Sequence, residues 1–177
     1  AKPIQLKLLF SVPDGRVLGA QAVGLEGVEK RIDVIAMAIQ MGATVHDLAE
    51  AELCYAPQFG AAKDPVNLAG MIAVNHLDGL MPLAHWNALG ERSLLDVREP
   101  DEYAAGHVAG AVNVPLSQLR TRHGELPRDR KLAVYCAAGQ RAYYATRFLL
   151  QNGYDAANLS GGYTTYRALH AVGLAPV

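Results

Sequence analysis

The sequence predicts a mixed α/β chain in two parts: an α+β module, then a unit with a small parallel sheet flanked by helices on both faces. Three observations lead there. A Pro13-Asp14-Gly15 turn separates two runs of strand character near the start. In the second half, short apolar runs at Ser93 to Val97, Leu132 to Tyr135 and Ala156 to Leu159 alternate with segments of helical period, the pattern of parallel strands joined by crossover helices. Composition shifts at Met81-Pro82, dividing the chain into residues 1–82 and 83–177.

In the first part, Ile4 to Phe10 and Arg16 to Gly24 form the predicted hairpin. Glu26 to Met41 carries Val28, Ile32, Ile35 and Ile39 at helical spacing, with Gly42 as its stop. Thr44 is placed to N-cap a short helix, and Asp64-Pro65 opens a longer one running to Leu77. In the second part, Leu83 to Leu89 is predicted as a short helix ending at Gly90. Arg141 to Leu150 is an amphipathic helix closed by Asn152-Gly153, and Tyr163 to Ala171 is the last helix.

Composition excludes several classes of function. With 51% hydrophobic and 19% charged residues over 177 positions, the chain is neither a disordered tail nor a membrane span, because no apolar run approaches the roughly 18 residues a bilayer requires. The net charge of −1 divides into −3 up to Pro82 and +2 beyond it, with no basic stripe interleaved with aromatics that would suit nucleic acid. Six histidines show no ligand spacing with one another or with a cysteine, so no metal site is expected. Two distant cysteines, Cys54 and Cys136, argue against a disulfide framework and for a reducing, cytoplasmic setting. A start at Ala1-Lys2-Pro3, with neither initiator methionine nor leader, is read as the cut end of a longer protein.

The chemistry concentrates at Cys136-Ala137-Ala138-Gly139-Gln140-Arg141. A cysteine at a strand end is ordinarily a small buried hydrophobe. Here the loop that follows it leads directly into a helix, and Ala137, Ala138 and Gly139 are too small to block a cradle of backbone N–H groups, to which Gln140 adds another. Those groups, the positive end of the helix dipole and the Arg141 guanidinium would favour the Cys136 thiolate and hold an anion above the sulfur.

With four residues between cysteine and arginine, this loop resembles the active-site loop of the rhodanese, or sulfurtransferase, family. Related phosphatase and arsenate-reductase loops have five. Leu94-Leu95-Asp96-Val97-Arg98-Glu99-Pro100-Asp101-Glu102-Tyr103, Gly106 to Pro115 and Leu159-Ser160-Gly161-Gly162 are similar to further rhodanese signatures, with Tyr166 where many carry tryptophan. The resemblance implies sulfur transfer through a Cys136 persulfide, from a sulfane-sulfur donor to a thiol acceptor, with Cys136 and Arg141 as catalytic residues. Asp96 and Arg98 read as a supporting salt bridge. A non-catalytic binding module and an oxyanion-processing enzyme are the alternatives.

The first part resembles the dimerisation domain of flavin-dependent pyridine nucleotide-disulfide oxidoreductases of the coenzyme A-disulfide reductase branch. The resemblance rests on Tyr55-Ala56-Pro57-Gln58-Phe59 followed by Ala62-Lys63-Asp64-Pro65-Val66-Asn67, with Gln58 replacing a second proline. It implies a homodimer, a role for Tyr55 in the partner subunit's active site, and FAD, NAD(P)H and coenzyme A as ligands of upstream domains. The parent would then be a coenzyme A-disulfide, persulfide or polysulfide reductase. No Gly-x-Gly-x-x-Gly follows any predicted strand, so no cofactor is expected on this chain itself.

Overall fold

A computed structural model describes residues 2–58 and 60–174; Phe59 of the Tyr55–Phe59 segment lies outside the described residues. The chain divides into two compact units, residues 1–80 and 81–177.

The first unit opens with β1 (Ile4–Phe10) and β2 (Val17–Gly24), an antiparallel hairpin whose register runs from Ile4 opposite Gly24 to a bulge at Leu9/Phe10. Then come α1 (Val28–Gln40), α2 (Val45–Glu50) and α3 (Pro65–Leu77). Thr44 and Asp47 form a reciprocal capping box at the start of α2, and the Asp64 carboxylate caps α3 at Val66 N–H, so the start signals read from sequence act as written. Arg31 on α1 grips the Asp64 carboxylate at 2.8 and 3.1 Å, tying one helix to the cap of another. Asn67 donates to the Leu48 and Ala51 carbonyls, closing the end of α2. Val17, Ile35, Val45, Leu48, Val66 and Ala73 form the core between hairpin and helices.

The second unit contains β3 (Leu83–Ala84), β4 (Ser93–Asp96), α4 (Pro100–Ala104), β5 (Val112–Asn113), α5 (Leu116–Arg122), β6 (Leu132–Tyr135), α6 (Gln140–Gln151), β7 (Ala156–Leu159) and α7 (Gly162–Ala171). The strands form one parallel sheet in the order β3-β7-β6-β4-β5. Strand periodicity sorts the central strand's side chains between two cores. Leu132, Val134 and Cys136 join Ala142, Ala145 and Leu149 of α6 on one face, while Ala133 and Tyr135 join Trp86, Leu159 and Tyr166 on the other. Cys136 therefore leaves the sheet on the α6 side, at the carboxyl end of the central strand, where open parallel sheets place their ligands.

One sequence expectation is corrected. Leu83 to Leu89 is not a helix: Leu83 and Ala84 pair in parallel with Asn158 and Leu159, and only Trp86–Ala88 forms a single 3-10 turn. Edge pairing to β7 and burial of Trp86 against Tyr166, ring centroids 5.1 Å apart, outweigh the local helical preference. The short β5 and the helices α4 and α5 were not anticipated, being two to seven residues long and held by tertiary contacts.

The first turn of α7 lies directly on the loop after β6, with Tyr163 N–H donating to the Cys136 carbonyl at 2.8 Å and Thr164 N–H to that of Ala137 at 3.0 Å. Only glycine fits at position 162. Its φ is +54°, and a Cβ there would stand 2.5 Å from the Cys136 carbonyl oxygen and 2.8 Å from that of Ala137. Gly162→Ala is expected to destabilise the unit by about 1–3 kcal/mol, the usual cost of overpacking. Chemical denaturation of the wild type and the variant measures it, and equal midpoints would show that the two segments are not in contact.

Candidate active site

The site is built on the loop between β6 and α6. Cys136 is only 2% exposed, and the N–H of Gly139 donates to its Sγ at 3.1 Å. Gly139, the residue before α6, has φ +132°, which an L side chain would resist. The carbonyls of Cys136 and Ala137 are taken by the first turn of α7, and that of Gly139 accepts from Tyr143 N–H at 2.8 Å and Asn158 Nδ2 at 3.2 Å. In a trans peptide the N–H points opposite to the carbonyl. Fixing those three carbonyls on the outside therefore turns the N–H groups of Ala137, Ala138 and Gln140 the other way. Among the described residues these N–H groups, and that of Arg141, meet no protein acceptor. They form a concavity of donors at the N-terminus of a 12-residue helix, suited to an anion. The Gln140 side chain itself is exposed, so its contribution is its backbone.

Arg141, expected from the sequence to face the anion above Cys136, also has a partner the sequence did not suggest. Its Nη1 and Nη2 donate to the two carboxylate oxygens of Glu102 at 2.5 and 2.8 Å, with the two side chains 32% and 34% exposed. These hydrogen bonds, against a smaller effect of burial, hold the Glu102 carboxyl down at about 2. Arg141 is raised above its ordinary value, chiefly by Glu102 and to a lesser degree by the Cys136 sulfur, with which it also interacts.

Asp96 and Arg98 form the salt bridge read from sequence, at 2.6 Å and with side chains 0% and 5% exposed. Burial is the largest single influence and opposes the Arg98 charge, but the Asp96 hydrogen bonds and the Coulombic attractions, chiefly of Asp96, together outweigh it and raise the guanidinium above its ordinary value. The guanidinium sits 4.1 Å from the centre of the Tyr163 ring and donates to the carbonyls of Gly106 and Glu102. The pair thus links the end of β4 to α4 and to the first turn of α7. Tyr55 belongs to the other unit, where it is 53% exposed beside Cys54 on the loop before α3.

Sequence reasoning missed Glu102, Asn158 and the Gly162 contact. Glu102 stood within a recognised signature, but nothing in a single sequence links it to a residue 39 positions later. No group of three His, Cys, Asp or Glu able to hold a metal occurs among the described residues, and no helix among them is long and apolar enough to cross a membrane. The residues present do not fit FAD or a nicotinamide. No strand of the described residues leads into a Gly-x-Gly-x-x-Gly turn, and in the loop after β6 the Gly139 N–H is taken by the Cys136 sulfur.

The Glu102–Arg141 pair predicts a pH effect with a definite sign. A carboxyl whose folded-state value is lowered from 4.5 to about 2 contributes stability that is complete above its ordinary value and is lost as pH falls through the lower one. The stability gap between wild type and Glu102→Gln should be constant from neutrality to about pH 5 and close toward pH 2. Unfolding titrations across that range check it, and a gap unchanged at the acid end would show that Glu102 does not act through its charge.

Comparison with known proteins supplies the family of each unit. The rhodanese-like domain model matches residues 82–169, and that of the pyridine nucleotide-disulphide oxidoreductase dimerisation domain matches residues 1–65. The crystal structure of reduced Bacillus anthracis CoADR-RHD superposes with a TM-score of 0.93 at 39% identity, covering 99% of this chain and 32% of that one. An NAD-dependent persulfide reductase from A. fulgidus gives a TM-score of 0.80 at 39% identity, covering 90% of this chain and 29% of that one. A sulfurtransferase of Allochromatium vinosum is 40% identical over 70 residues, 39% of this chain and 65% of that protein. The chain spans less than two thirds of the length of each of these relatives. It joins a pyridine nucleotide-disulphide oxidoreductase dimerisation domain to a rhodanese-like domain.

Proposed function

We propose that the second unit is a sulfurtransferase in which Cys136 carries the transferred sulfur as a persulfide. The observation that supports this reading is the Gly139 N–H donating to Cys136 Sγ at 3.1 Å, in a loop whose neighbouring N–H groups meet no protein acceptor among the described residues. In the first step the Cys136 thiolate attacks the terminal sulfur of a donor R–S–SH. A Cys136 S–S bond forms, the donor S–S bond breaks, and R–S⁻ leaves with the electron pair. In the second, an acceptor thiolate attacks the outer sulfur of Cys136–S–SH, taking it and returning Cys136 as thiolate. The added sulfur extends the anionic centre outward by one atom, and the N–H groups of Ala137, Ala138, Gln140 and Arg141 are the donors available to receive it. Asp96 and Arg98 hold the frame, and Arg141 acts from the rim as half of an ion pair with Glu102.

The similarity to the CoADR-RHD and persulfide reductase structures extends the proposal to a larger assembly, a coenzyme A-disulfide, persulfide or polysulfide reductase using FAD and NAD(P)H on other domains. In that setting the first unit would pair two subunits, and exposed Val23, Leu25, Met37, Met41, Leu68 and Ile72 are the apolar residues available for it. Tyr55 would serve the partner's reductase site.

Intact mass after incubation with a sulfane-sulfur donor tests the central step. The wild type should gain one sulfur, removable by a thiol, and Cys136→Ser should gain none. The same gain in Cys136→Ser, or none in the wild type, would remove Cys136 as the carrier.

A further inference from the structure

We propose that Glu102 sets the donor preference of the Cys136 site, favouring donors whose leaving group carries one negative charge, such as alkyl persulfides, over the dianion thiosulfate. This rests on the reading that Cys136 accepts sulfane sulfur. Its basis is where the charges at the loop are spent. The loop's one cationic side chain, Arg141, gives both Nη groups to the Glu102 carboxylate at 2.5 and 2.8 Å. That carboxylate also accepts from Glu99 N–H at 3.1 Å, on the oxygen that takes Arg141 Nη1, and Arg98 donates to the Glu102 carbonyl at 3.3 Å. Arg98 is itself committed to Asp96. Neither arginine adds unbalanced positive charge.

The Glu102–Arg141 pair is about one-third exposed, whereas Cys136 is almost fully buried, and Arg141 also interacts with the Cys136 sulfur, so the pair borders the site on its more exposed side. The neutral N–H groups suffice for one anionic sulfur. Transfer from thiosulfate forms the Cys136 S–S bond, breaks the donor S–S bond and expels sulfite with the electron pair and two negative charges. Transfer from an alkyl persulfide expels a thiolate with one. With the Arg141 charge cancelled by Glu102, the second negative charge of departing sulfite goes uncompensated, so Glu102 discriminates between the two by withholding a free cation from the dianionic donor.

The test compares the rate of one-sulfur gain on the 177-residue chain from thiosulfate and from 2-hydroxyethyl hydropersulfide. The wild type should favour the persulfide. Glu102→Gln keeps the side-chain shape and an acceptor for Glu99 N–H but removes the charge. It should raise the second-order constant for thiosulfate by about tenfold, mainly through half-saturation, and leave the persulfide constant within about twofold. An unchanged ratio, or a parallel fall with both donors, would make Glu102 a structural brace and overturn the proposal. Should the variant not fold, the wild type alone decides: thiosulfate used as well as the persulfide contradicts it, and a persulfide preference of about tenfold or more supports it. A wild type that takes sulfur from neither donor removes the sulfur-transfer reading and this inference with it.

Discussion

Two backbone hydrogen bonds, from Tyr163 and Thr164 N–H to the carbonyls of Cys136 and Ala137, determine which way the loop faces. Each is worth about 1 kcal/mol net, little against the entropy of ordering six loop residues. Their effect is directional: with the carbonyls committed to α7, the N–H groups of Ala137 and Ala138 on the same peptides face the opposite way, away from α7. This commitment is possible only because Gly162 lets α7 approach within contact of the loop, and because Asn158 Nδ2 secures the next available carbonyl, that of Gly139. The loop thereby keeps peptide N–H groups without a protein acceptor beside the sulfur, the donors the proposed function uses.

The charged groups brace this arrangement at two depths. Asp96–Arg98 is buried, and removing one partner of such a pair leaves an uncompensated charge at a cost of about 3–5 kcal/mol. It is therefore a structural joint, extended by the stacking of Arg98 on Tyr163, whose own N–H holds the Cys136 carbonyl. Glu102–Arg141 is partly solvated and contributes less to stability, and the proposed role for it is in choosing the donor. Stability and selectivity are in this way assigned to different ion pairs on neighbouring segments.

Much of this was legible in the sequence. The strand Leu132 to Tyr135, the loop and the helix after it were readable because apolar runs, small residues and helical spacing are local signals. The caps Thr44 and Asp64 were readable for the same reason. What failed was non-local: Leu83 to Leu89 has helical composition but is claimed by edge pairing with β7 and by the Trp86 core. Arg141 was rightly assigned to the loop but not to Glu102, because the spacing between them is fixed by the packing of α4 against the sheet. Asn158 read only as a strand residue, and its Gly139 contact exists because β7 and β6 are neighbours.

The account rests on the claim that loop N–H groups, rather than the Arg141 side chain, receive the anionic sulfur. Backbone amide NMR of the chain before and after sulfur loading tests this directly. The amide proton signals of Ala137, Ala138, Gln140 and Arg141 should move downfield together on loading, as new hydrogen bonds form, and return when a thiol removes the sulfur. Unmoved backbone amides with a shift confined to the Arg141 guanidinium would contradict it.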